Sequence, residues 1–281
     1  MKLYTINAGM FKLDGGAMFG VVPKGIWQRT NPADENNMCT WAMRCLLIVD
    51  GDRKILIDAG VGDKQGEKFF RHYYLHGDHP VTVSLKKAGF EPEEITDVFF
   101  THLHFDHCGG AVRWADQEKQ IPELVFPNAT YWSNEDHWQW ATQPNGREKA
   151  SFLKENLHPI IDSGRLKFVP LNGKSPFPQF DILFTDGHTE KQMSPMIRYD
   201  GKTIVYMADF LPSIGHIPLP YIMSYDVKPL ITLQEKIDFM QEAVDKQYIL
   251  FLEHDPANEC CTLKMTKKGP RLDKVFPLSE V

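Results

Sequence analysis

The chain has 281 residues, 42% hydrophobic and 12% aromatic, which suffices to bury a large core, and an α/β chain of this length is expected to form one domain over residues 1–281. A formal net charge of −6 without a Lys/Arg stripe argues against a nucleic-acid partner and for a small-molecule substrate. Five cysteines, odd in number and without a CxxC pair, argue against a disulfide framework or zinc ribbon. With no signal-like or membrane-length apolar run, the expectation is a cytoplasmic protein away from membranes, as a monomer or homodimer.

In chain order, residues 1–7 alternate as a strand. The apolar, Gly-rich stretch Met10–Val22 with Trp27 reads as a loop able to wall a pocket. Cys45–Val49, a Gly51-Asp52 turn and Lys54–Asp58 predict a β-hairpin that ends on Asp58. A helix from about Pro80 to Ala88 stops near Gly89, and Ile95–Thr101 predicts a strand covered on both faces. Gly109-Gly110-Ala111-Val112 is expected to open toward a helix, followed by a strand over Val125–Trp132 and helices near Asn134–Thr142 and Arg147–Leu157. Leu166–Val169, Phe180–Thr185, Thr203–Ala208 and Tyr248–Leu252 predict strands, with a helix from about Leu233 to Lys246 before the last.

The chemistry concentrates in Thr101-His102-Leu103-His104-Phe105-Asp106-His107-Cys108-Gly109-Gly110, directly after the apolar run Val98-Phe99-Phe100. Three imidazoles and a carboxylate crowded beside a core strand need a compensating charge, and a metal supplies one. Three later strands end on His188, Asp209 and His254. Strand ends of an α/β sheet converge at one crevice, where residues distant in sequence can meet. Asp58 is a candidate acceptor for a ligand histidine, with an ordinary turn aspartate as the rival reading. His72, His76, His79, His137 and His158 read as structural, whereas His216, in the Pro/Gly-rich loop after Asp209, is a candidate pocket residue.

The order HxHxDH, a GHT histidine, a strand-terminal aspartate and a late histidine resembles the metallo-β-lactamase-fold hydrolase superfamily. The full complement of histidines is more similar to its di-metal lactonase and methyl parathion hydrolase branch. The resemblance implies an αββα sandwich. It also implies that His102, His104 and His188 hold one metal, Asp106, His107 and His254 the other, and that Asp209 bridges them. Two divalent ions, Zn2+ with Mn, Fe or Co as substitutes, would share an activated hydroxide that attacks a carbonyl, with Asp106 or Asp209 taking a proton. The expected substrate is a lactone or carboxylic ester. Phosphotriester, phosphodiester or thioester hydrolysis and a metal-stabilised binding module are the alternatives. Met18, Phe19, Trp27, His216, Tyr221 and Tyr225 are the expected substrate-binding residues. Lactonases of this fold often carry a tyrosine three positions after the bridging aspartate; Pro212 stands there, which argues against acyl-homoserine lactone cleavage unless Tyr221 or Tyr225 takes over as the carbonyl-orienting donor.

Overall fold

The computed structural model describes residues 1–171 and 175–281, which form two compact units, Met1–Phe11 with Met43–Asn172, and Lys12–Ala42 with Gly173–Val281. Each is built on a six-stranded sheet, in keeping with the α/β class.

The strands of the first unit are β1 (Lys2–Asp14), β2 (Met38–Asp50), β3 (Arg53–Ile57), β4 (Asp97–Phe99), β5 (Val112–Asp116), β6 (Ile121–Leu124), β7 (Thr130–Ser133) and β8 (Leu166–Phe168). β1 and β2 run on past the unit's bounds. The sheet order is β1-β2-β3-β4-β7-β8, with β5 and β6 forming a separate two-stranded sheet. The predicted hairpin is present: β2 and β3 pair antiparallel from Leu46↔Ile57 to Asp50↔Arg53 across Gly51, whose φ of 58° suits a tight hairpin turn. β3, β4 and β7 then run parallel, Ile57 opposite Phe99 and Phe99 opposite Trp132. β4 is buried throughout, as expected of a parallel strand covered on both faces. Its register places Phe100 and Thr101 at the strand's carboxyl end, where the histidine-rich loop begins.

Several sequence expectations need correction. Met10–Asp14 belongs to β1 rather than to a loop, and a short helix follows at Gly15–Phe19, capped by the Asp14 carboxylate. Gly109-Gly110-Ala111-Val112 does not lead into a helix. Phe105–Cys108 makes one helical turn, Gly109–Ala111 a 3-10 turn, and β5 starts at Val112. The backbone there lies on the segment after β3: Gly110 N donates to Gly60 O at 2.7 Å, and a Cβ on Gly110 would sit 2.1 Å from Ala59 O. The strand expected over Val125–Trp132 is confined to Thr130–Ser133, because Phe126–Ala129 forms a turn. The helix expected from Arg147 instead spans Lys154–Asp162. Asn145 accounts for the delay, since its Oδ1 accepts from Arg147 N and Glu148 N and closes an Asx turn.

The second unit carries β9 (Phe180–Thr185), β10 (Gln192–Tyr199), β11 (Lys202–Tyr206), β12 (Ile249–Phe251), β13 (Cys260–Thr266) and β14 (Gly269–Phe276), in the order β14-β13-β12-β11-β10-β9. Among the described residues of this sheet only β11 and β12 pair parallel, Ile204↔Ile249 to Tyr206↔Phe251, and the helix Pro229–Asp245 lies between them in sequence. That helix starts earlier than its apolar period suggests, with Pro229 at a first-turn position where a missing N–H costs nothing. Phe239 and Met240 on it pack with Val205, Leu250 and Leu263. β10, β13 and β14 were not anticipated.

Gly187, just before His188, touches this helix so closely that a Cβ would lie 2.4 Å from Thr232 N and 2.5 Å from Thr232 Cα. Both atoms are backbone and cannot rotate away. Gly187→Ala is therefore expected to destabilise the protein by about 2–3 kcal/mol and to lower Tm by roughly 5–10 °C. Thermal unfolding measures this, and an unchanged Tm would contradict the packing described.

Candidate metal centre

In the first unit the loop after β4 brings together His102, His104, Asp106 and His107, all buried. Asp58, at the end of β3 with φ of 59°, is the organiser. Such a conformation for a non-glycine residue costs of order 1–3 kcal/mol and marks functional sites. Its Oδ1 accepts from Thr101 N at 2.8 Å, and its Oδ2 accepts from Thr101 Oγ1 at 2.7 Å and faces His107 Nδ1 at 3.1 Å. Because the Thr101 hydroxyl spends its proton on Asp58, its oxygen accepts from His102 Nδ1 at 3.1 Å. His104 Nε2 faces the Glu148 carboxylate at 3.3 Å. Three rings are thus held with the second nitrogen as a lone-pair donor. His102 Nε2 and His104 Nδ1 lie 3.0 Å apart, and His107 Nε2 is 3.8 Å from Asp106 Oδ2. Electron-rich atoms facing one another at such distances repel unless a proton or cation joins them.

The second unit repeats the pattern with His188, Asp209 and His254. His188 Nδ1 faces Asp226 Oδ1 at 2.9 Å, and His254 Nδ1 donates to Ala42 O at 2.7 Å. Both rings therefore turn Nε2 toward Asp209, His188 to Oδ2 at 3.0 Å and His254 to Oδ1 at 2.7 Å. Asp209 follows Ala208, whose φ of 44° is a second strained position at a candidate ligand. Burial alone would lower the His188 pKa, but the Asp209 and Asp226 carboxylates outweigh it and raise the imidazole to about 10. A proton there does what a metal cation would do. The donors, neutral imidazole nitrogens and carboxylate oxygens, suit a divalent ion such as zinc.

Sequence reasoning missed the supporting side chains. Glu148 not only faces His104 but accepts from Trp140 Nε1 at 2.7 Å and Asn145 Nδ2 at 2.6 Å. Asp226 carries no spacing signal. His137, read as structural, is buried and accepts from Leu103 N at 2.9 Å, so it steadies the loop between His102 and His104. Phe105 packs with Phe69 and Tyr73, ring centroids 5.2 and 4.9 Å away. Burial, aided by Asp106, raises Tyr73 to about 12, which keeps its hydroxyl protonated.

Of the residues expected to bind substrate, Met18, Phe19, Trp27 and His216 are buried in the second unit. Phe19 stacks on Trp27 at 5.1 Å and on His216 at 4.4 Å, with Tyr221 edge-on at 6.5 Å. Burial pushes His216 down to about 3, so its ring is neutral; it bonds Ser213 Oγ and Met18 O, both at 2.9 Å. Tyr221 is half-buried and Tyr225 exposed, whereas Pro212 is buried. All five cysteines are buried thiols outside any disulfide. Among the described residues no helix is long and apolar enough to cross a membrane.

Lys64 is also buried, donating to Gly109 O at 2.5 Å and Val112 O at 3.0 Å, and so fastens the turn after His107. Burial lowers its pKa to about 8, partly opposed by Cys108 and two acidic neighbours. Between pH 8 and the lysine's ordinary 10.5 the unfolded chain therefore binds the extra proton, and stability rises with pH. Relative to Lys64→Met, the wild type should gain about 3 kcal/mol across that window. Paired denaturant titrations at both ends read the difference, and parallel curves would refute it.

A family model described as Metallo-beta-lactamase superfamily matches residues 44–251. The chain is 29% identical to an N-acyl homoserine lactonase of Bacillus thuringiensis over 271 residues, 92% of this chain and 94% of the relative. It is 24% identical to an N-acyl homoserine lactonase of Bacillus cereus over 221 residues, 73% of this chain and 74% of the relative. Among solved structures, a probable metal-dependent hydrolase from Staphylococcus aureus superposes with a TM-score of 0.87 at 28% identity, covering 98% of this chain and 96% of the other. A dizinc quorum-quenching lactonase bound to a product gives a TM-score of 0.78 at 23% identity over 98% of this chain and 95% of that one, a likeness that bears on the fold alone.

Proposed function

The chain belongs to the metallo-β-lactamase superfamily and is a hydrolytic enzyme of the lactonase type, and we propose that its substrate is a lactone carrying an apolar acyl or alkyl group, opened with the help of two zinc ions. His102, His104 and His188 are assigned to one cation, Asp106, His107 and His254 to the other, and Asp209 to both. The two units act as a single domain in this reading, and the enzyme works in the cytoplasm, where its five thiols stay reduced.

The observation that carries the reading is the orientation of the histidines. All five have one ring nitrogen tied to an oxygen acceptor, Thr101, Glu148, Asp58, Asp226 or the Ala42 carbonyl, so each keeps its other nitrogen for a cation. A pair of divalent ions supplies a water of lowered pKa and a Lewis acid for the carbonyl oxygen. The remaining steps belong to side chains. Asp209 faces His188 and His254 and, with Asp106, would take the proton given up by the attacking water and pass it to the ring oxygen as the ring C–O bond breaks. Tyr73, protonated at neutral pH and packed on Phe105, and Tyr221, edge-on to Phe19, offer the hydroxyl donors that Pro212 lacks. Relatives that hydrolyse N-acyl homoserine lactones match along nearly the whole chain, which favours a lactone over the ester, thioester and phosphotriester alternatives.

A turnover screen of zinc-loaded protein over N-acyl homoserine lactones, aryl esters, thioesters and phosphotriesters tests this. Lactone kcat/KM is expected to exceed the other classes by about 10²-fold or more. Equal or higher turnover of a phosphotriester would overturn the substrate assignment.

A further inference from the structure

The helix Pro229–Asp245 buries Thr232, Lys236, Phe239, Met240 and Ala243 along one stripe, and Lys236 is anomalous there. Its side chain, only 2% exposed, occupies a place that a leucine or methionine would fill without desolvating a charge. Taking an ammonium group out of water costs several kcal/mol unless bonds compensate. Here the Nζ donates to two carbonyls of one turn, Pro218 O and Tyr221 O, each at 3.0 Å. Burial lowers its pKa to about 7, with Asp226 opposing. Pro218 and Pro220 lack N–H groups, so within the turn the backbone bonds are the short-range Tyr221 N to Pro218 O and Ile222 N to Pro220 O, and the next tie to another segment is Ser224 N to Ala17 O. Lys236 lines a small cavity together with Asp209, His216, Tyr221 and Asp226.

We propose that Lys236 is a positioning residue for substrate: by fastening the Pro218–Tyr221 turn to a rigid helix it fixes Tyr221 against Phe19 at the wall of the Asp209 site. This rests on the lactonase reading above. Lys236 does not touch substrate; it acts through Tyr221. Its neighbour Glu235 independently fastens the His188 loop, accepting from Asp186 N at 2.7 Å and Gly187 N at 3.1 Å. Loss of Lys236 therefore loosens the tyrosine turn while the His188 loop keeps its own tie.

The test uses the full-length, zinc-loaded Lys236→Met and Lys236→Arg proteins beside wild type. Hydrogen exchange at the Tyr221 and Ile222 amides should speed up about tenfold or more in Lys236→Met, with the Ile249–Phe251 amides unchanged. KM for an N-acyl homoserine lactone should rise about tenfold with kcat within about threefold, zinc content should hold, and Lys236→Arg should recover part of the loss. Tyr221→Ala should add little in the Lys236→Met background, because both act on one element. Unchanged exchange, an unchanged KM in an active enzyme, or full additivity of the two substitutions would each overturn the proposal. A wild type inactive on every lactone would overturn the lactonase reading and the substrate role of Lys236 with it, whereas an active wild type with an indifferent Lys236→Met overturns the proposal alone. If Lys236→Met does not fold, Lys236→Arg carries the same readouts: faster exchange at Tyr221 and Ile222 with a raised KM supports the proposal, and wild-type exchange and KM refute it.

Discussion

Asp209→Asn should cost roughly 10³-fold or more in kcat/KM while leaving the fold intact. The substitution keeps shape and volume but removes one negative charge and turns an acceptor into a donor. In the folded chain both carboxylate oxygens are used, Oδ2 toward His188 and Oδ1 toward His254. An amide cannot offer two anionic oxygens, so one of the two assigned cations loses a ligand. Bound zinc should fall below two per chain, and elemental analysis of the purified variant reads that directly. His107→Ala should give a loss of the same order, because it removes an assigned ligand whose ring Asp58 holds in place. Glu148→Gln, acting through His104, should be milder, about 10–100-fold. The ranking is the discriminating result. Full activity in Asp209→Asn would take the site out of the chemistry, whatever Glu148→Gln did.

How much of this was legible in the amino-acid sequence differs between the loop and its surroundings. His102-x-His104-x-Asp106-His107 and the strand before it announce themselves locally, because a covered parallel strand is a continuous apolar run and its loop follows at once. Asp58 was also readable, lying at the end of a hairpin strand with a clean Gly-Asp turn. Glu148 and Asp226 were not: a single carboxylate in a loop has no period, and its partner is fixed only by the folded chain. β10 stayed hidden behind Pro195, which normally demotes a strand, and the β13–β14 hairpin behind its mixed polar faces. Lys236 is the sharpest case. At helical spacing a lysine reads as part of a solvated face, and only the two carbonyls of a distant turn explain why it is inside.

Removing metal should separate the two forms of the protein by an amount that grows with pH. If zinc is present at about a thousand times its Kd, chelation forfeits about 4 kcal/mol of stability, roughly 10 °C in Tm for a chain of this size. The pH dependence comes from His188, which in the metal-free protein is held protonated to about pH 10 by Asp209 and Asp226, against 6.5 ordinarily. A pKa raised on folding gives stability that is complete below pH 6.5 and is lost as pH climbs through 10. The zinc-loaded protein has no such proton to lose, because ligation requires the neutral ring. The gap between loaded and metal-free Tm should therefore widen between pH 6.5 and 10, by the equivalent of about 3–5 kcal/mol. Lys64 and Lys236 push stability the opposite way over part of this range in both forms of the protein, which leaves the His188 proton as the main contribution to the difference. Zinc titration into the chelated protein at pH 8 should release protons, measurable with a weakly buffered indicator. A gap independent of pH, with no proton release, would mean that His188 does not exchange a proton for a metal.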